Sequence, residues 1–119
     1  MDIETLRDYV LKKPMVTESF PFGEDTLVFK VKTGKGDKGT EKIFALFSLD
    51  SSTLQFNLKC DPEKAIELRE EYPGNILPGY HMNKKHWNTV IADGMLPAKL
   101  IFQMLDDSYN LVAKKPAKK

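Results

Sequence analysis

The chain has 119 residues, a formal net charge of +1, 41 % hydrophobic and 29 % charged residues, and one cysteine. Those figures describe a single globular domain able to close a core without staples. They exclude an internal disulfide, a multi-cysteine metal site and a strongly basic binder of the histone or ribosomal kind.

In chain order, Asp2 to Lys12 reads as a short helix capped by Asp2, with Ile3, Leu6, Val10 and Leu11 on one face and Pro14 stopping it. "VTESFPFGED" is an extended stretch with a turn around Gly23. "TLVFKVK" alternates Leu27, Phe29 and Val31 against Val28, Lys30 and Lys32, the period of a strand. "KIFALFSL" is apolar on both faces, as expected of a strand central in its sheet or covered on both sides. "LQFNLK" alternates again, after the turn composition of Asp50 to Ser52. Three such runs with short connections imply an antiparallel meander.

"DPEKAIELREEY" is a helix with Asp61 at the N-cap and Pro62 at the first position. Its inner side is Ala65, Leu68 and Tyr72, with Ile66 at the edge, and Pro73-Gly74 ends it. "ILPGYHM" is extended, "HWNTVIA" is a further strand, and Asp93-Gly94 is a turn. Pro97 opens a last helix with Leu100, Ile101, Met104 and Leu105 as its stripe. "SYNLV" either continues that helix or starts a separate turn, because Asp107 and Ser108 are cap-type residues. The order predicts an α+β fold, a mostly antiparallel sheet packed against about three helices, in one domain over residues 1–113 with a solvated basic tail at 114–119.

"TGKGDKGT" holds a literal G-x-G-x-x-G at Gly34, Gly36 and Gly39. A dinucleotide or Walker loop needs a helix after the glycines to hold phosphate, and "EKIFALFSL" reads as a strand. The kinase glycine loop does lie between strands, but its partner motifs are missing. The loop is a hairpin connection whose tip carries Lys35 and Lys38, both suited to touching phosphates.

Leu77 to Val90, "LPGYHMNKKHWNTV", gathers both histidines, the one tryptophan, two adjacent lysines and two asparagines. His81 and His86 are five apart, on opposite faces of a strand and out of line on a helix, and no acid nearby completes a ligand set, so no metal or other cofactor is expected. Ser48, Ser51, Ser52 and Cys60 lie in no nucleophile motif, so no catalytic residue and no enzyme activity is expected, although His81 or His86 in a deep cleft with Tyr80 would reopen that question. The bland reading makes Trp87 a core anchor whose indole N–H finds a partner, and places one histidine in a hydrogen bond at a strand end.

The motif "GYHMNKKHWNTV", preceded by Pro73-Gly74 and Leu77-Pro78 and followed by Asp93-Gly94, resembles the signature of the MmcQ/YjbR family. "PFGEDTLVFKV", "KIFALF" and "LDDSYNLVAKK" are similar to that family's pattern, and the resemblance covers nearly the whole chain. It implies a small bacterial cytoplasmic protein of α+β fold, comparable with the frataxin-like CyaY arrangement. It also implies a "double-wing" surface for DNA, which is a fold analogy. Asn83, Lys84, His86, Trp87 and Asn88 are the positions carried over, with Gly79, Tyr80 and Trp87 as the structural core of the motif.

The leading expectation is therefore a module that contacts duplex DNA weakly and non-specifically through the sheet face and hairpin loops. Lys35, Lys38, Lys84 and Lys85 would meet phosphates, joined by Lys30, Lys32 and Lys59, and Asn83, His86 and Asn88 would add polar contacts. The alternative is a protein-interaction or adaptor domain, favoured by the near-zero charge and the acids of the Asp61–Glu71 helix. The lone Cys60, the acids and missing apolar core at "MDIETLRDYVLKKP", and the lack of any apolar run near the roughly 18 residues of a membrane span lead to a cytoplasmic expectation with no membrane partner. Oligomeric state has no signal in the sequence.

Overall fold

Asp2 accepts a hydrogen bond from the Thr5 amide at 2.9 Å and so opens α1 (Ile3–Leu11), whose Leu6 and Val10 are fully buried. In this computed structural model residues 2–33, 40–79 and 83–113 are described. The chain continues through β1 (Val16–Ser19), β2 (Thr26–Thr33), β3 (Thr40–Ser48) and β4 (Leu54–Lys59). Next come α2 (Pro62–Glu71), β5 (Ile76–Pro78), β6 (Trp87–Ala92) and α3 (Ala98–Ala113). The fold is α+β, as the order of elements predicts.

The strands form one six-stranded sheet in the order β1-β2-β3-β4-β6-β5, with every neighbouring pair antiparallel. The predicted meander is β2 to β4, and the extended stretch before it adds β1 at one edge. After α2, the short β5 forms the other edge and β6 fits between it and β4. Residues 40–48 run extended, so a strand and not a helix follows the three glycines, as expected. The glycine tip itself, with Lys35 and Lys38, lies outside the described residues, as do Tyr80, His81 and the 114–119 tail.

Among the described residues, helices cover one face only. α3 lies against β2, β3 and β4, α2 against β5 and β6, and α1 against β1. Leu6, Val10, Ala65, Leu68, Ile101 and Leu105 share one core with Leu27, Phe29, Phe47, Phe56, Leu58, Ile76 and Val90. Phe47 stands edge-on to Phe29 at 5.5 Å and stacks with Phe56 at 4.8 Å, which ties three central strands together.

The apolar run of β3 has a specific cause. Phe29 pairs with Ala45 but Lys30 pairs with Ile43, so Phe44 is an extra residue, a β-bulge. Phe44 and Ala45 both join the helix-side core as a result. The bulge leaves the Phe44 carbonyl and the Lys59 amide without a ladder bond to each other. Ser108 of α3, fully buried, stands between them: its hydroxyl donates to the Phe44 oxygen at 2.6 Å and accepts from the Lys59 amide at 2.9 Å. Ser108 is thus an interior helix residue and no cap, and "SYNLV" continues α3.

α1 is fastened at its middle and at its C-terminal end. The Arg7 guanidinium forks onto Glu18, with Nε 2.7 Å from one carboxylate oxygen. Lys13 pairs with Asp106, which also accepts from the Tyr9 hydroxyl at 2.8 Å, while the Tyr109 hydroxyl donates to the Pro14 carbonyl at 2.7 Å. One helix position departs from expectation: Ile66 is 52 % exposed and takes no part in the buried side of α2, where Ala65 and Leu68 enter the core and Tyr72 packs against it.

Candidate nucleic-acid interface

Side chains alternate along a strand, so every residue between the core positions points to the face that no helix among the described residues covers. That face carries Thr17 and Ser19 from β1, Val28, Lys30 and Lys32 from β2, and Glu41, Ile43 and Leu46 from β3. β4 adds Gln55, Asn57 and Lys59, β6 adds Trp87, Thr89 and Ile91, and β5 adds Leu77. Its middle row is Ser19, Val28, Leu46, Asn57 and Thr89. Val28, Leu46 and Thr89 are buried, and the Thr89 hydroxyl bonds the Asn57 carboxamide oxygen at 2.5 Å.

The charges lie toward one end, where β2 and β4 finish and β6 begins. Lys30, Lys32 and Lys59 are the lysines that these strands turn to the helix-free face, against the one acid Glu41. The ion pairs among the described residues, Arg7–Glu18 and Lys13–Asp106, use none of them. Glu41 accepts from the Thr17 hydroxyl at 3.3 Å.

At the same end a turn leads into β6. The Asn83 side-chain oxygen accepts from the Lys85 amide at 2.9 Å, and its carbonyl accepts from the amides of His86 and Trp87 at 3.1 and 3.0 Å. Asn83 therefore shapes the turn, and Lys84 and Lys85 are left exposed on it. The His86 carbonyl accepts from the Cys60 amide at 2.7 Å, which docks the turn on the end of β4, and its ring is partly exposed. The Gly79 amide donates to the Trp87 carbonyl at 2.8 Å, so Gly79 and Trp87 do meet across the motif.

Two expectations change. Asn88 is 2 % exposed and faces the helices. Its side-chain oxygen accepts from Arg69 Nε at 2.7 Å and its amide approaches the Ala65 carbonyl at 3.5 Å, so it holds α2 to β6 and offers nothing to a ligand. Trp87 is no core anchor. It alternates with Asn88 and Val90, which point to the helices, so it stands partly exposed on the helix-free face. Its cross-strand partner there is Lys59.

Arg69 is the residue that sequence reasoning missed. Besides Asn88 it reaches the carbonyls of Lys84 and Trp87, and so ties α2 to the lysine turn. The trace it left is its place one turn after the buried Ala65, on the inner flank of a mostly acidic helix.

Nothing in the described part arms a nucleophile. Burial, with Asp107 and Asp61 nearby, pushes the Cys60 thiol up to about 11, so it stays protonated at neutral pH. The space between Cys60, Leu68, Asn88 and Met104 is about 10 Å³, room for one water at most. No group of three His, Cys, Asp or Glu side chains able to hold a metal occurs among the described residues, and no helix among them is long and apolar enough to cross a membrane.

Three helices on one face of a six-stranded antiparallel sheet, with lysines and the sole tryptophan on the other, define an α+β sheet protein built around the "GYHMNKKHWNTV" motif. The chain belongs to the YjbR family, whose model matches residues 11–111. It is 38 % identical over 116 residues to YbdF of Escherichia coli O157:H7, covering 98 % of this chain and 88 % of that one. It is 31 % identical over 109 residues to YjbR of Escherichia coli K12, covering 92 % and 85 %. The crystal structure of Deinococcus radiodurans protein DR2400 matches with a TM-score of 0.87 at 44 % identity, over 98 % of this chain and 82 % of that one.

Proposed function

We propose that this chain binds DNA weakly and without sequence preference, through the helix-free face of the sheet and the turn at Asn83–His86. The observation that carries this reading is a local excess of cations: among the described residues, Lys30, Lys32 and Lys59 share that face with one acid, Glu41. Exposed Lys84 and Lys85 extend the strip. Such contacts supply salt-sensitive affinity and position, and little sequence choice.

Labelled short DNA, duplex and single-stranded, titrated by anisotropy tests it. With two to three phosphate contacts, affinity falls about 10- to 40-fold between roughly 50 and 200 mM salt. Lys84→Glu with Lys85→Glu weakens binding further, and so does Lys30→Glu with Lys59→Glu. Absence of binding at low salt, or binding indifferent to both double variants, rejects the reading.

A second reading, a protein-interaction domain, is favoured by a different observation. At the opposite end of the sheet Phe22 is 65 % and Met95 76 % exposed, with Phe20 and Leu49 also open to solvent. Exposed apolar groups of that size suit a protein partner. Phe22→Ser with Met95→Ser then abolishes partner binding and leaves DNA titrations unchanged.

A further inference from the structure

We infer that the helix-free face takes unpaired nucleotides in preference to duplex, with one base stacked on Trp87 and the strand's phosphates carried over Lys59 toward Lys30. The inference rests on the nucleic-acid reading above and sharpens it to one form of ligand.

Size separates the two forms first. Six strands at a spacing of about 4.8 Å make a face about 24 Å wide, whereas the major groove of B-DNA is about 12 Å wide and admits a helix or a two-stranded ribbon. The sheet is too wide for the groove of an undistorted duplex. It meets such a duplex along the phosphates, where the bases are stacked away from reach. A sheet face accepts a single strand without that conflict, since unpaired bases can stack on an aromatic side chain that stands on it.

The placement of Trp87 points the same way. Trp87 is turned away from the helix-side core by the register of β6, and part of its surface is open on the other face. Lys59 is its direct partner on β4, which sets the two side chains about 5 Å apart at their Cβ atoms. An aromatic ring beside a cation is the pairing that a nucleotide needs: a π-face for the base and a charge for its phosphate. Lys30 continues the path, about 14 Å from Trp87 across three strand spacings of about 4.8 Å. Ile43, its cross-strand partner, lies on the way as a partly buried apolar floor. On a duplex Trp87 would have no base to stack with. The lysines alone would suit either form, and the ring decides for the single strand.

The chain has one tryptophan, so its emission reports this site alone. The experiment titrates the full chain with an oligothymidine of about 12 nucleotides and, separately, with a duplex of equal length, at about 20 and 200 mM salt. The expected result is quenching of Trp87 by the single strand, with affinity at least tenfold above that for the duplex at either salt. Trp87→Ala, read by anisotropy of labelled oligothymidine, loses about tenfold or more in affinity, and Trp87→Phe keeps most of it. Duplex binding as tight as single-strand binding, or single-strand binding that neither quenches Trp87 nor changes in Trp87→Ala, overturns this inference and leaves the proposed function standing. No binding of either form at low salt removes both. Should Trp87→Ala fail to fold, the quenching and the Trp87→Phe variant decide alone.

Discussion

Single residues carry much of the organisation. Ser108 bridges the two backbone groups that the Phe44 bulge separates. Ser108→Ala leaves both buried and unpaired, and urea unfolding should show a loss of about 1–3 kcal/mol. A loss under about 0.5 kcal/mol would mean that water or a backbone shift replaces the hydroxyl. Cys60 gives a pH signature. Its folded-state pKa is raised from 9.0 to about 11, so the stability linked to its proton is whole below pH 9 and is lost as pH rises through about 11. Tyr9, raised by its hydrogen bond to Asp106, adds to the loss in the same direction. The urea midpoint should fall across that window, and fall less steeply in Cys60→Ala; equal slopes would remove Cys60 from the account. Glu18 acts at the other end. The Arg7 guanidinium lowers its pKa, so its contribution is present above the ordinary carboxylate range and is lost as pH falls through the lowered value.

At the scale of elements, the central question is which way β6 faces. If Trp87 stands outside the core, Trp87→Ala lowers stability by less than about 1.5 kcal/mol, whereas truncating a core tryptophan costs about 3–5 kcal/mol. Thermal or urea melts separate the two. The elements were legible in the sequence: caps at Asp2 and Asp61, period-two runs and proline stops marked their bounds, because each is a local signal. Facing was harder. β6 reads "HWNTVIA", with Trp87, Asn88, Thr89 and Val90 all able to sit inside, and the choice between two faces shows only in its register with β4 and in the hydrogen bond from the distant Arg69 to Asn88. The bulge was illegible for the same reason. "KIFALF" carries no break, and the extra residue is visible only against the register of β2. Glycine signals were sound where geometry is local: Gly74 has φ +90° and Gly94 φ +102°, both ending turns that an L side chain resists.

At the scale of the molecule, a nearly neutral chain becomes polar in arrangement. The sheet has a helix side with the acids of α2 and a second side with Lys30, Lys32 and Lys59, and along its length an apolar end near Phe22 and Met95 and a basic end near Lys59 and Lys84. The sequence showed these charges as clusters in the chain, yet only the strand register put Lys30, Lys32 and Lys59 on one surface. Summed charge argues against a strong electrostatic binder; separated charge permits a weak one. The most direct measurement is a map of amide chemical shifts during titration with short DNA at low salt. Shifts are expected along Lys30, Lys32, Lys59 and Trp87 and through Lys84 and Lys85, fading as salt is raised. Shifts confined to α2 and α3, or to the loops around Phe22 and Met95, would contradict the proposed interface.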